Sequence, residues 1–121
     1  MTSRLYTISI DARDPAALGT FWRGVLGGEL SVDEDGDAWL DYSDGRAAEL
    51  LFIADRGHKS EKNRIHFDLI PDDRDAEVER VLALGASRVD IGQTGLESWV
   101  VMADPEGNEF CILSPDEDAG D

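Results

Sequence analysis

The sequence is poor in cysteine and in long apolar runs, and each shortage excludes a class of protein. A single cysteine among 121 residues, Cys111, leaves no internal disulfide and suits a reducing compartment, so we expect a cytoplasmic protein. No segment approaches the roughly 18 consecutive apolar residues that a membrane-spanning helix needs. The opening residues MTSRLYTISI run into an alternating pattern without a basic-then-apolar leader, so we also expect no signal peptide.

Positive charge is also scarce. Eleven lysines and arginines against 27 aspartates and glutamates give a net charge of −16. Such a charge repels nucleic acids and anionic membranes, so neither is expected as a partner, and it mildly favours cationic ligands. Both lysines, Lys59 and Lys62, lie in the stretch RGHKSEKNR, which we interpret as a solvated linker rather than a phosphate site.

What the chain does contain is one pattern given twice. Residues 5–55 open with the alternating run LYTISI, and residues 64–114 open with RIHFDLI. In the first repeat, Asp14 and Pro15 predict the start of an amphipathic helix that ends at Gly27. In the second, the acidic stretch PDDRD precedes the helical segment AEVERVLALG, which ends at Gly85. The tryptophans repeat as well, since Trp39 and Trp99 each lie five residues before an aspartate.

Three shorter strand candidates follow each predicted helix. They are GELSVDE, AWLDYS and AAELLFIA in the first repeat, and ASRVDIG, SWVVMAD and EFCILS in the second. The sequence therefore predicts an α+β fold in which two βαβββ modules stand in tandem and form an open, cupped mixed β-sheet. We expect one domain, with module one at about 4–56, a linker at 57–63, module two at about 64–115 and a solvated tail at 116–121.

Strand parity sorts the polar residues onto one side of each sheet. If the helices cover the apolar face, Thr7, Ser9 and Asp11 lie on the other face of the first strand, and His66 and Asp68 lie on that of the fifth. Glu49 shares its face with Leu51 and Ile53, and Cys111 faces away from Phe110 and Ile112. The duplication makes Thr7 the counterpart of His66 and Glu49 the counterpart of Cys111, so these four residues are predicted to converge on one interior.

The predicted interior allows more than one chemistry. Imidazole, carboxylate and thiolate all bind transition metals, which makes Glu49 and His66 candidate metal ligands. The alternatives are that His66 pairs with Asp68 or Glu49, or hydrogen-bonds to a ligand. Cys111 either packs as a small hydrophobic residue or takes part in Cys-His chemistry. No residue is assigned a catalytic role.

The two equivalent tryptophans have two readings as well. Trp39 and Trp99 either wall a pocket that suits an aromatic or cationic ligand, or pack in the core. The predicted ligand-binding residues, taken together, are Thr7, Ser9, Trp39, Glu49, His66, Asp68, Trp99 and Cys111.

These features resemble the vicinal oxygen chelate superfamily, which includes glyoxalase I, bleomycin-resistance proteins and extradiol dioxygenases. The resemblance rests on the paired modules, on DPAALGTFWRGVLGGEL after the first strand, on HFDL and on ADPEGNEFCIL, and it covers residues 4–114. It is greatest to small glyoxalase-like proteins common in actinobacteria. It implies metal-ligand positions at Thr7, Glu49, His66 and Cys111, of which Glu49 and His66 match the ligand types of glyoxalase I and the other two do not.

The resemblance also limits the expected activity. Glyoxalase I activity is not expected because Cys111 fills the position of the catalytic carboxylate, and extradiol cleavage needs a second histidine. We expect a homodimer that binds a small aromatic or cationic molecule without an intact four-ligand metal site. No cofactor is assigned, and a divalent metal ion is the one candidate. The alternatives are a divalent-metal-dependent lyase, isomerase or dioxygenase that uses Glu49 and His66, and a purely structural or regulatory dimer.

Overall fold

A computed structural model describes residues 5–55, 65–89 and 98–115. The helices are α1 (Pro15–Leu26) and α2 (Arg74–Leu84). The strands are β1 (Thr7–Ala12), β2 (Glu29–Val32), β3 (Ala38–Asp41), β4 (Glu49–Ala54), β5 (Phe67–Leu69), β6 (Ser87–Arg88), β7 (Val100–Ala103) and β8 (Glu109–Ile112). The predicted linker, both lysines and the predicted tail lie outside the described residues, and so does the segment from Gly92 to Gly95, whose glycines predict a turn after the strand candidate ASRVDIG.

The chain divides into two compact units that repeat one topology. Module one holds β1 to β4 with α1, and module two holds β5 to β8 with α2. In module one the strand order is β1-β4-β3-β2, with β1 parallel to β4 and the other pairs antiparallel. Module two has the same arrangement, β5-β8-β7-β6, with β5 parallel to β8. The predicted α+β fold of tandem βαβββ modules is therefore confirmed.

The helix ends follow from their capping residues. The Asp14 carboxylate accepts a hydrogen bond of 3.1 Å from the amide of Ala17, and Asp73 accepts one of 3.0 Å from the amide of Ala76. Because Asp73 is the cap, α2 begins at Arg74, two residues before the predicted start. Each helix stops at the predicted glycine, where the chain turns with a positive φ of 77° at Gly27 and 122° at Gly85.

The core of each module lies between its helix and one face of its sheet. In module one, α1 packs on β3 and β4 and buries the aromatic pair Phe21 and Trp22, whose rings meet edge to face at 5.1 Å. In module two, α2 packs on β8 and buries Val78 and Val81. The buried strand residues beneath the helices include Leu40, Leu50, Phe52, Met102, Phe110 and Ile112.

Two strands of module two are shorter than the sequence predicts. The run RIHFDLI forms only the three-residue strand β5, and ASRVDIG contributes only Ser87–Arg88 within the described residues. Ile65 has the same parity as Phe67 and Leu69 and is therefore expected on the apolar face, but it lies outside β5 and is 80% exposed. Neither helix in the described ranges is long and apolar enough to cross a membrane.

Candidate functional site

Each module has an open face, which we define as the sheet face that its own helix does not cover. In β4 the burial alternates: Leu50 and Phe52 are buried, while Glu49, Leu51 and Ile53 are half-exposed. The same alternation in β8 buries Phe110 and Ile112 and leaves Glu109 and Cys111 partly exposed. The predicted side of the sheet is therefore confirmed for both Glu49 and Cys111.

The open face of module one brings Thr7 and Glu49 together. The two residues are partners in the parallel pairing of β1 and β4, and the Thr7 hydroxyl donates a hydrogen bond of 3.2 Å to Glu49 Oε1. Two residues further along β4 and on the same face, Leu51 is the partner of Ser9 on β1 and of Trp39 on β3. Within the described ranges, Glu49 forms no ion pair with an arginine. Module one thus presents a half-buried carboxylate on β4 and a half-buried indole on the neighbouring strand β3.

The open face of module two holds an imidazole, a carboxylate and a thiol. Asp68 and Cys111 are partners in the pairing of β5 and β8, and His66 precedes β5 with the same parity as Asp68. His66 Nε2 lies 3.1 Å from Asp68 Oδ1, and one ligand atom from each of the three residues lies within 4.8 Å of the others. The side chains of His66 and Asp68 are 46% and 53% exposed.

The strand register differs from the predicted correspondence between the modules. If Thr7 and Glu49 corresponded to His66 and Cys111, His66 would lie opposite Cys111. The register instead places Asp68 opposite Cys111, two residues further along β5. A shift of two residues keeps the side-chain direction, so parity gave the correct face but the wrong partner. The convergence of Thr7, Glu49, His66 and Cys111 on one interior stays a prediction.

The two tryptophans are not equally placed in their strands. Trp39 lies within β3 and is half-buried, whereas Trp99 directly precedes β7 and is 42% exposed. The predicted strand position of Trp99 is therefore wrong by one residue, since β7 begins at Val100. A role for either residue as a ligand wall stays a prediction.

One carboxylate outside the predicted site, that of Asp104, is buried. Asp104 is 4% exposed, and its side chain accepts hydrogen bonds from the amides of Glu106 and Asn108 and from the Asn108 side chain. These bonds close the turn between β7 and β8. The sequence DPEGN is typical of a turn. The buried Asp104 carboxylate stabilises this turn through its hydrogen bonds.

Comparisons with known proteins agree with this architecture. A model of the glyoxalase-like domain matches residues 7–113. No curated protein matches the sequence at a significant level.

Solved structures give the same result. A glyoxalase/bleomycin resistance protein/dioxygenase family enzyme from Burkholderia phytofirmans is similar at 21% identity and a TM-score of 0.69, covering 93% of this chain and 98% of that one. The trypanothione-dependent glyoxalase I of Leishmania major is similar at 16% identity and a TM-score of 0.70, covering 98% and 91%. A glyoxalase/bleomycin resistance protein from Albidiferax ferrireducens is similar at 15% identity and a TM-score of 0.63, covering 90% and 96%. At these identities the likeness shows the fold alone.

Proposed function

The chain belongs to the glyoxalase-like domain family, and on that premise we propose that it binds a small cationic or aromatic molecule on the open faces of its modules. The observation that carries this proposal is the setting of Glu49. Its carboxylate is half-buried, accepts a hydrogen bond from the neutral Thr7 hydroxyl, and has no arginine partner in the described ranges. A cationic ligand group would supply a positive charge that no residue of the described ranges places against this carboxylate.

The neighbouring indole supports the same class of ligand. Trp39 lies on the open face of module one, next to Leu51 and one strand away from Glu49. A cation over an indole face gains about 0.5–2 kcal/mol, and a planar ligand gains by stacking. The open face of module two carries a separate, exposed carboxylate, Asp68, and the net charge of −16 disfavours anionic ligands.

Three wider expectations accompany the proposal. We propose a homodimer, which the resemblance to the vicinal oxygen chelate superfamily supports, and a cytoplasmic location, which the single cysteine supports. We also propose that the chain is related to the small glyoxalase-like proteins of actinobacteria, which the motif ADPEGNEFCIL supports. A metal-dependent lyase, isomerase or dioxygenase that uses Glu49 and His66 is the alternative function, and it predicts that activity is lost when either residue is replaced.

The test is calorimetric titration of chelator-treated protein with a planar aromatic cation, such as a phenanthridinium dye, and with an anionic dye of similar size. We expect saturable binding of the cation alone. Trp39→Leu should weaken binding roughly 5- to 30-fold, the equivalent of about 1–2 kcal/mol, and Glu49→Gln should weaken it by a similar factor.

The matched control is Asp35→Asn, which removes one exposed charge from the turn between β2 and β3. This variant should bind the cation as the wild type does. Equal weakening by Asp35→Asn and Glu49→Gln would mean that only the overall charge attracts the dye, and the proposed site would then be rejected. Absence of saturable cation binding would reject it as well.

A further inference from the structure

We propose that His66, Asp68 and Cys111 bind a thiophilic divalent transition-metal ion, in a site contained within module two. The sequence predicted Glu49 and His66 as ligands, and the family resemblance implied the positions of Thr7 and Cys111 as well. The structure instead groups Asp68 with His66 and Cys111, and this set needs no residue of module one. The proposal is independent of ligand binding at Glu49 and Trp39.

The strand arrangement holds the three donors on one face. The pairing of β5 with β8 fixes Asp68 beside Cys111, and the alternation along the chain returns His66 to the same side. The β8 strand is held between β5 and β7, with Val101 as the other partner of Cys111. The thiol is therefore carried by an interior strand of the sheet, which limits its movement.

The donor atoms lie close enough together to share an ion. His66 Nε2 and Asp68 Oδ1 contact each other directly at 3.1 Å, and two nitrogen or oxygen ligands at about 2.0–2.1 Å from a tetrahedral ion lie roughly 3.3 Å apart. An ion would therefore replace this direct contact with little change in the distance between the two atoms. A sulfur ligand at about 2.3 Å would lie roughly 3.5 Å from the other two. Since all three donor atoms already lie within 4.8 Å of one another, closure needs a movement of little more than an ångström.

The donor types select the class of metal. Imidazole and thiolate favour zinc, cobalt, nickel and ferrous iron, whereas magnesium and calcium prefer sites built from oxygen alone. A carboxylate and a thiolate would together balance the charge of a divalent ion. Because His66 and Asp68 are about half exposed, solvent can reach the ion. Three protein ligands with an open position are typical of sites in which a metal acts as a Lewis acid.

The experiment is a titration of reduced, chelator-treated protein with cobalt(II), followed by absorption spectroscopy. We expect saturation at one equivalent, with a near-ultraviolet sulfur-to-cobalt charge-transfer band and release of protons as the ligands ionise. Zinc should abolish the band by displacement, and excess magnesium should leave it unchanged. Cys111→Ser should remove the band. His66→Ala and Asp68→Asn should each weaken cobalt binding at least tenfold. Loss of a residue that only supports a metal ligand already weakens binding by about 10- to 100-fold, and loss of a ligand itself should cost no less.

The controls separate this site from the other candidates. Glu49→Gln and Asp35→Asn should both bind cobalt as the wild type does, and far-ultraviolet circular dichroism should show that every variant is folded. Loss of the band in Glu49→Gln would overturn the assignment to module two alone. Substoichiometric cobalt binding by the wild type, or equal binding by wild type and Cys111→Ser, would overturn the site altogether. Binding of the dye cation by metal-free protein is measured separately, so the two proposals fail independently.

Discussion

Module one and module two share a topology but differ in how their helices are packed. Helix α1 buries two aromatic side chains, whereas the largest side chains that α2 buries are valines. Helix caps, terminal glycines and strand order are nevertheless the same in both. The comparison teaches that capping and turn residues maintain the repeated architecture, while the interior of each copy is free to change in volume.

The open faces differ more than the cores. At the position where β1 meets β4, module one has a hydroxyl bonded to a carboxylate; where β5 meets β8, module two has a carboxylate beside a thiol, with an imidazole next to them. The same topology thus carries a hydroxyl–carboxylate pair in one module and an imidazole, a carboxylate and a thiol in the other. The following predictions test the comparison of the two modules, from the largest expected effect to the smallest.

The largest effect is expected from the cores. Trp22→Ala should reduce the free energy of unfolding by about 3–5 kcal/mol, because it removes an almost fully buried indole and its edge-to-face contact with Phe21. Val81→Ala in α2 should reduce it by about 2 kcal/mol, since two buried carbons are lost. Urea unfolding measures both, with the exposed Val32→Ala as a control near zero. Equal losses for Trp22 and Val81 would contradict the difference in packing.

The helix caps should give a smaller and nearly equal effect. Asp14→Ala and Asp73→Ala each remove the acceptor for one amide of the first helical turn, so each should lower the free energy of unfolding by about 1 kcal/mol. Asparagine at either position keeps an acceptor oxygen and should restore most of the loss. Thermal or urea unfolding of the four variants provides the measurement. If one of the two alanine variants unfolded with the same free energy as the wild type, capping would not stabilise both modules alike.

The smallest effect concerns Tyr42, which module two does not repeat. Burial raises the pKa of the Tyr42 phenol above its usual value, and the Arg46 guanidinium, 4.6 Å from the ring centroid, partly offsets this by lowering the pKa. The resulting stability is fully present below the unfolded pKa and is lost as pH rises through the folded pKa. Arg46→Gln should raise the pKa of Tyr42 further. Ultraviolet titration of tyrosinate, with Tyr42→Phe subtracted, measures the shift; a lower pKa would show that Arg46 does not act on the phenol.

Much of the fold could be read from local signals. Asp14 with Pro15, the glycines at 27 and 85, and the alternation in β4 and β8 each depend on near neighbours, and all gave the observed element or face. The pairing of Asp68 with Cys111 could not be read in this way. Register depends on hydrogen bonds between strands more than 40 residues apart in the sequence. A register shift of two residues leaves every side chain on the same face, so alternation cannot reveal it. The expected burial of Ile65 was wrong for a related reason, since alternation does not reveal whether another element covers a side chain.

The two-residue difference in register also suggests a way in which such a protein can acquire new functional groups on one face. A strand that slides along its neighbour by two residues returns every apolar side chain to the interior, so the fold survives the move. What changes is which residues become cross-strand neighbours on the solvent side. Duplicated sheets can therefore acquire new combinations of functional groups by a shift in register as well as by substitution. The Asp68–Cys111 pair of module two, where module one has the Thr7–Glu49 pair, is one such combination.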